Sequence, residues 1–358
     1  MKTGSLVIVA LSGGVDSAMT ALILKKKHTV QGIFFKMHDR ANENKVQKMA
    51  EKLKIPLKIM DVRKEFQERV IDSFLREYQN NKTPNPCIIC NKDLKFHFLL
   101  EELKKNKADF VATGHYARIR RKISDSKLSQ LNGRAKLAIQ QDKQIPKYRL
   151  LRGRDKQKDQ SYFLYRLTQK DLKKIIFPLG EMNKSEILEM AKQNNLIDDN
   201  YQESQEVCFI ENSVEDYLRK NLGQKKGEII DIGGKVLGEH QGLHFYTIGQ
   251  RRGIGFSGGP FFVIKKEPKE NLLIVSKEKK DLISKNFEVK NLNWINKVIF
   301  PLKTKAKFRS KSGLYDVIVK KEGNKYFVEL KEYEIGVTPG QSVVFYNRDE
   351  VLGGGIID

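Results

Sequence analysis

Cysteine is scarce: Cys87, Cys90 and Cys208 are the three thiols in 358 residues. So few argue against a disulfide-built scaffold and for a reducing, cytoplasmic setting. No apolar run approaches the roughly 18 residues of a membrane span, so no membrane role is expected. The apolar stretch after Met1-Lys2 is only about seven residues long and passes straight into a glycine turn, so no secretory leader is expected. There is no internal repeat, no heptad pattern and no G-x-x-x-x-G-K-[ST] phosphate loop. Acidic residues are outnumbered: 44 Asp and Glu face 67 Lys and Arg, a formal charge of +23. A basic surface concentrates polyanions and speeds encounter with nucleic acid. Drift toward lysine, asparagine and isoleucine would also produce this balance, so charge alone does not establish RNA binding.

The first informative stretch is Ser12-Gly13-Gly14-Val15-Asp16-Ser17. It follows the β-branched run Leu6 to Leu11 and precedes a helical pattern beginning at Ala18. Strand, glycine turn and helix aim free backbone N–H groups and a helix dipole at an anion. Gly13 and Gly14 allow close approach and positive φ. Ser12 and Ser17 supply hydroxyls, and Asp16 is a candidate to hold Mg2+ that bridges phosphates. The spacing S-G-G-x-D-S resembles the pyrophosphate loop of ATP pyrophosphatases.

Further strands are expected at Thr29 to Phe35, Leu57 to Val62 and Asp109 to Thr113, with helices over Ala41 to Leu53, Lys64 to Tyr78 and Lys92 to Leu103. This alternation predicts an α/β fold with a doubly wound parallel sheet in residues 1–215. Ligands sit at the carboxyl ends of such strands, where the loop, Phe35 and Gly114 fall. Residues 119–149 form a polar excursion. Asp171 to Ile176 and Lys184 to Asn194 look helical, with Ser185 a candidate N-cap. Short strands and tight turns follow: Glu228 to Asp231, Lys235 to Leu237, Leu243 to Thr247 and Phe261 to Ile264. They predict a small β-rich domain over 216–280. Lys305 to Phe308, Tyr315 to Val319, Tyr326 to Leu330 and Ser342 to Tyr346 predict a β-barrel over 281–358.

The second informative stretch is Thr83-Pro84-Asn85-Pro86-Cys87-Ile88-Ile89-Cys90-Asn91. The prolines force an extended entry to a helix, so Cys90 falls near a helix N-terminus, where the dipole favours thiolate. Taken alone, Cys87-x-x-Cys90 admits half a zinc site or a redox dithiol. A closed zinc site needs about four ligands, and only Cys208 with His97 or His115 remain. Cys208, between Val207 and Phe209, alone suggests a packed core thiol.

With both thiol stretches placed, the chain resembles the tRNA-specific 2-thiouridylases, the MnmA family, along nearly its whole length. The resemblance rests on residues 12–17, Thr83 to Asn91, Thr113 to Ala117, Lys158 to Leu164, Phe177-Pro178-Leu179-Gly180, Val207 to Ile210, Gly249 to Gly255 and Thr338-Pro339-Gly340-Gln341. It implies an adenine nucleotide α-hydrolase-like domain and ATP-dependent 2-thiolation of the wobble uridine in tRNAs for lysine, glutamate and glutamine. ATP, with Mg2+, would be held by Ala10, Leu11, Ser12, Gly13, Gly14, Val15, Asp16, Ser17, Phe35 and Gly114. Cys90 matches the nucleophile position and Cys208 the persulfide carrier. Asn85, Pro86 and Cys87 match positions beside the target base. Lys158, Asp159, Gln160, Arg309 and Ser310 match tRNA contacts. The implied partners are tRNA and a cysteine desulfurase or sulfur-relay protein, acting on a monomer. Ser310 departs from a common tyrosine, His38 from a tryptophan and Phe35 from a methionine. Other readings are a different pyrophosphate-loop tRNA modifier, an amide-forming synthetase, or a non-catalytic tRNA-binding protein.

Overall fold

The computed structural model describes residues 3–121, 148–198, 207–254, 259–282, 284–330 and 336–358. β1 (Leu6–Ala10) leads through the glycine turn into α1 (Val15–Lys25), and β2 (Thr29–Lys36) follows. α2 (Glu43–Leu53) starts where Asn42 accepts from the Lys45 N–H at 2.9 Å and stops at Lys54, in the left-handed region at φ 49°. β3 (Leu57–Asp61) precedes two long helices, α3 (63–79) and α4 (86–105). Each carries an internal π-helical segment, Gln67–Ile71 in α3 and Cys90–Phe96 in α4. β4 (Phe110–Ala112) then returns to the sheet. β5 (Ala117–Arg121) and β6 (Tyr148–Arg152) form an antiparallel pair, and β7 (Ile175–Ile176) completes the sheet.

The sheet order is β3-β2-β1-β4-β7, with every pairing parallel. Alternate residues of β1 face opposite sides. Val7 and Val9 pack with α1, α2 and the helix Lys184–Gln193. Ile8 packs with α3 and α4. Helices therefore cover both faces, as the alternating pattern predicts. The strand order reverses between β1 and β4, so a crevice opens beyond their carboxyl ends.

The central unit holds β8 (Gly227–Asp231), β9 (Val236–His240), β10 (Phe262–Glu267) and β11 (Leu272–Ser276) in the order β10-β11-β8-β9. The last unit is a ring of β12 (Asn286–Trp294), β13 (Leu302–Lys307), β14 (Tyr315–Glu322), β15 (Lys325–Leu330), β16 (Ser342–Asn347) and β17 (Glu350–Ile357). It closes because β12 pairs with both β15 and β17, which removes its free edges.

Several local expectations differ from the fold. Ile175 and Ile176 form a strand, because the short helix Gln169–Leu172 ends before them. Asn183, not Ser185, caps Lys184–Gln193, in a reciprocal box with Glu186. Leu243–Phe245 is one 3-10 turn rather than a strand. α4 begins at Pro86, placing Cys90 inside the helix and not ahead of it. The ends of the 119–149 excursion are strands β5 and β6; its residues 122–147 lie outside the described residues. β6 also pairs with β17, so this hairpin of the first unit joins the barrel sheet.

Candidate active site at the nucleotide loop and the thiol helix

The loop after β1 is tied by its own hydroxyls. Ser17 Oγ donates to the Gly14 carbonyl at 2.8 Å and accepts from the Ser12 N–H at 3.1 Å. Ser12 and Ser17 hydroxyls lie 3.2 Å apart. Gly13 sits at φ 76°, a conformation that favours glycine. Gly114, just past β4, presses on the loop: a Cβ there would lie 2.9 Å from the Asp16 carbonyl carbon. The sheet thus brings together residues 10–17 and Gly114, about a hundred positions apart. Phe35 is different: its ring is buried in the core 6.4 Å from Phe98, so only its backbone remains to face a nucleotide.

Asp16 is not a free carboxylate. Its Oδ1 accepts from the Tyr116 hydroxyl at 2.8 Å and from Lys184 Nζ at 2.7 Å. Lys184 is buried and also lies over the Tyr116 ring. Tyr116 is in turn fixed by Gln160, whose Oε1 accepts from the Tyr116 N–H at 3.1 Å. The loop fits a phosphate chain, with N–H groups, hydroxyls and a neighbouring cation. The fit to a protein-held metal is poor: no cluster of three His, Cys, Asp or Glu occurs among the described residues, and Asp16 already has its counter-ion. Lys184 carries no motif signal beyond its place at a helix start.

The thiols gather on the face covered by α3 and α4. Cys90 is buried, its Sγ 3.9 Å from the Met37 thioether just beyond β2. Cys87 lies one turn earlier on α4 and reaches the surface, as does Cys208. Phe209 anchors Cys208: its ring meets Phe66, Phe74 and Tyr217 edge-on at 5.7, 5.4 and 5.5 Å. Arg40 also donates to the Phe209 carbonyl at 2.7 Å. Cys90 and Phe209 share one core, and the charge of Cys208 is felt at both Cys87 and Cys90.

Burial is the largest influence on these sulfurs. It pushes the Cys90 thiol up to about 11, against the thiolate expected at a helix start. Cys87 and Cys208 touch solvent, yet partial burial raises both thiols too. Lys95 opposes this at all three. Behind Lys95, burial and then the lysine charge push His115 down to about 3, so its ring is neutral. That ring lies between Phe96 and Phe177 and shares a 2.7 Å hydrogen bond with Thr113 Oγ1.

The approach to Cys87 is clamped by all three units. The Thr83 N–H donates to the Pro339 carbonyl at 2.9 Å, Gln341 Nε2 donates to the Thr83 carbonyl at 2.7 Å, and the Thr83 and Thr247 hydroxyls are 3.2 Å apart. Gly340, at φ 88°, admits this contact: a Cβ there would stand 2.8 Å from Lys82 Cβ. Asn85 and Pro86 then open α4, with Pro86 buried at its first position.

The expected tRNA contacts divide. Arg309 is exposed, though its Nη2 also bonds the Ile248 carbonyl and Thr338 Oγ1, each at 2.9 Å. Lys158 and Ser310 are half-buried. Asp159 is enclosed: its side chain is 1% accessible and pairs with Arg152 at 3.0 Å. It also accepts from the N–H groups of Gly153 and Ser161, each at 3.1 Å. A carboxylate so enclosed holds a turn. Gln160 likewise faces Tyr116.

A parallel sheet of this order with a glycine loop at its switch point defines a nucleotide-binding domain of the HUP class. The family model described as a tRNA methyl transferase HUP domain matches residues 5–212. A tRNA methyl transferase PRC-barrel domain matches 215–277, and an aminomethyltransferase beta-barrel domain matches 284–357. A protein from Syntrophomonas wolfei named tRNA-specific 2-thiouridylase MnmA is 40% identical over 98% of this chain and 99% of its own. One of the same name from Buchnera aphidicola is 39% identical over 100% of this chain and 98% of its own. The solved structure of a predicted subunit of tRNA methyltransferase from Methanocaldococcus jannaschii matches 61% of this chain and 86% of that chain. Its identity is 15% and its TM-score 0.30. The chain belongs to the tRNA-specific 2-thiouridylase family.

Proposed function

We propose that this protein is an ATP-dependent tRNA-uridine 2-sulfurtransferase acting on the wobble uridine of tRNAs for lysine, glutamate and glutamine. One observation carries the reading: a phosphate-binding loop and two thiols 118 positions apart in sequence, Cys90 and Cys208, belong to one domain, with Cys90 and Phe209, the neighbour of Cys208, packed in one core.

A uracil O2 leaves poorly, so it is first adenylated. Residues 12–17 hold the phosphates through backbone N–H groups, with Lys184 as a cation fixed beside the loop by Asp16. Mg2+ would arrive with ATP and be held chiefly by its phosphates, since Asp16 is already paired. Asn85, Pro86 and Cys87 meet the target base, which leaves its stack to reach them. Cys208, exposed on its loop, is suited to receive persulfide sulfur from a cysteine desulfurase or relay protein. Cys90, buried behind it, completes transfer by attacking the persulfide to free sulfide, or by forming a disulfide with Cys208. Lys158 and Arg309 contribute phosphate contacts to tRNA. The thiol chemistry suits a reducing cytoplasm; among the described residues no helix is long and apolar enough to cross a membrane.

The test is mass spectrometry of wobble nucleosides after incubation with ATP, magnesium, tRNA and a persulfide source. Sulfur-for-oxygen exchange at C2 supports the reading, and Cys208→Ser abolishes it. A methyl gain, or thiolation that persists at full rate in Cys208→Ser, overturns it.

A further inference from the structure

α4 does not turn uniformly. From Cys90 to Phe96 its turns widen to the π form, in which residue i bonds to i+5. In an ordinary helix the fifth residue points well away from the first. In the wider turn it returns toward the same side, so Lys95 comes round to Cys90. π segments are costly in isolation and cluster at functional sites.

Lys95 has no structural partner that would explain it. It is half-buried, and among the described residues it makes neither a hydrogen bond nor an ion pair with a carboxylate. Other partly buried lysines of this domain do better: Lys58 pairs with Glu102, Lys92 with Asp171, and Lys184 with Asp16. A desolvated cation without an anion is unfavourable. What faces Lys95 instead is sulfur. It is the leading electrostatic neighbour of Cys87, Cys90 and Cys208 alike. Burial pulls Lys95 itself down, yet the three thiols together lift it above its ordinary value. Among the described residues the remaining neighbours supply no negative charge: His115 is neutral, and Arg40 reaches Cys208 alone.

We propose that Lys95 is the positioning cation of sulfur transfer, holding the negative charge that passes between Cys90 and Cys208. This rests on the sulfurtransferase reading. Cys90 gives up its proton to water and attacks Cys208 Sγ, forming a Cys90–Cys208 bond. The bond from Cys208 Sγ to the terminal sulfur breaks, and its electron pair goes to that sulfur. The terminal sulfur leaves as sulfide, able to displace AMP from C2 of the adenylated base, and the two thiols are oxidised to a disulfide. Anionic sulfur therefore stands against Lys95 before the bond changes, as the Cys90 thiolate, and after it, as sulfide. Beside a fixed ammonium that charge needs no water to stabilise it.

The test reads the sulfur without tRNA or ATP. In a Cys87→Ser/Cys208→Ser protein only Cys90 reacts with iodoacetamide, and its rate is followed against pH. Lys95→Gln and Lys95→Met should move the profile to higher pH and slow alkylation at pH 8 about tenfold, one unit of pKa. Lys95→Arg should restore most of the rate. In the three-cysteine protein, Lys95→Gln should lose single-turnover thiolation while tRNA-dependent pyrophosphate release continues. A Lys95→Gln profile that superposes on the parent overturns the proposal. So does a parallel loss of pyrophosphate release and thermal stability, which marks a merely structural lysine. A shifted profile in a protein that never thiolates tRNA sinks the functional reading and leaves the electrostatic role of Lys95 standing.

Discussion

Gly114→Ala isolates the contact on which the nucleotide loop depends. The added Cβ would stand 2.9 Å from the Asp16 carbonyl carbon, 3.0 Å from its Cβ and 3.0 Å from its carbonyl oxygen. Two of the three atoms are backbone, so no side chain can swing away. Asp16 is held on its other side by Tyr116 and Lys184. To regain ordinary contact the loop must retreat by about 0.5 Å in an interior with little slack. Overpacking of this kind costs about 1–3 kcal/mol, or about 3–10 °C of melting temperature for a domain of this size. Most molecules stay folded. Catalysis suffers more, because a 1 Å misplacement costs about 100-fold. Half that retreat, spread over the N–H groups that face the phosphates, should lower kcat/KM for ATP by about tenfold. The assay is tRNA-dependent pyrophosphate release over a range of ATP concentrations, beside a thermal melt. Wild-type kcat/KM would refute the argument that Gly114 seats the loop.

Other perturbations separate structural charges from functional ones. Arg152→Ala takes the nearer of two cations from the enclosed Asp159 carboxylate, leaving Lys307 at 4.0 Å, and should cost about 1.5–3 kcal/mol, read by denaturant unfolding. Lys184→Met removes a charged hydrogen bond from Asp16, should cost about 1.5–3 kcal/mol, and should slow pyrophosphate release beyond what that loss explains. tRNA affinity should fall steeply with salt, and Arg309→Ala should flatten the slope of log Kd against log salt by about one unit. Lys290 and then Lys82 hold the Asp358 carboxyl below its ordinary value. A carboxyl lower in the folded than the unfolded state stabilises above its unfolded pKa, near 4. That contribution fades as pH falls through the lower folded value. Asp358→Asn should therefore remove part of the acid-side slope of stability and leave the alkaline side unchanged.

The sheet was legible because its cause is local: β-branched runs alternate with amphipathic helices, and Gly13-Gly14 marks the turn. The barrel strands Leu302–Lys307 and Ser342–Asn347 were visible for the same reason. The closing strand β17 was not, since Gly353-Gly354-Gly355 carries no β signal and its conformation is set by Asn293, Trp294 and Val343 packed against it. β7 was hidden because its two residues take their conformation from Val111 and Ala112 alongside. Motif spacing indicated the thiols and the loop, but not their surroundings. Lys184 and Met37 reach the site from other elements and carry no signature in their own neighbourhoods, and the Thr113 to Ala117 motif gave no sign that Tyr116 bonds Asp16. Asp159 shows the converse: it sits in an exposed-looking Lys-Asp-Gln run and is the best-buried carboxylate near β6.

The thiol helix makes the same point about energetics. A cysteine at a helix N-terminus is usually an activated one, because the dipole favours thiolate in a partly exposed setting. Cys90 lies further along, under Met37 and the aromatic cluster of Phe66 and Phe209, where loss of water outweighs the dipole. A protein that needed only a reactive thiol would have left it at the surface beside Cys87. Enclosure makes sense when the partner is a sulfane sulfur that water or a free thiol would otherwise intercept. On the proposed reading Cys90 is protonated and shielded until it meets the Cys208 persulfide beside the charge of Lys95. On this view burial of Cys90 lowers its reactivity toward small reagents without lowering its rate toward Cys208. Iodoacetamide should modify Cys87 and Cys208 well before Cys90 at neutral pH. Cys90 reacting first would show that the core over α4 opens in solution and that shielding is not its purpose.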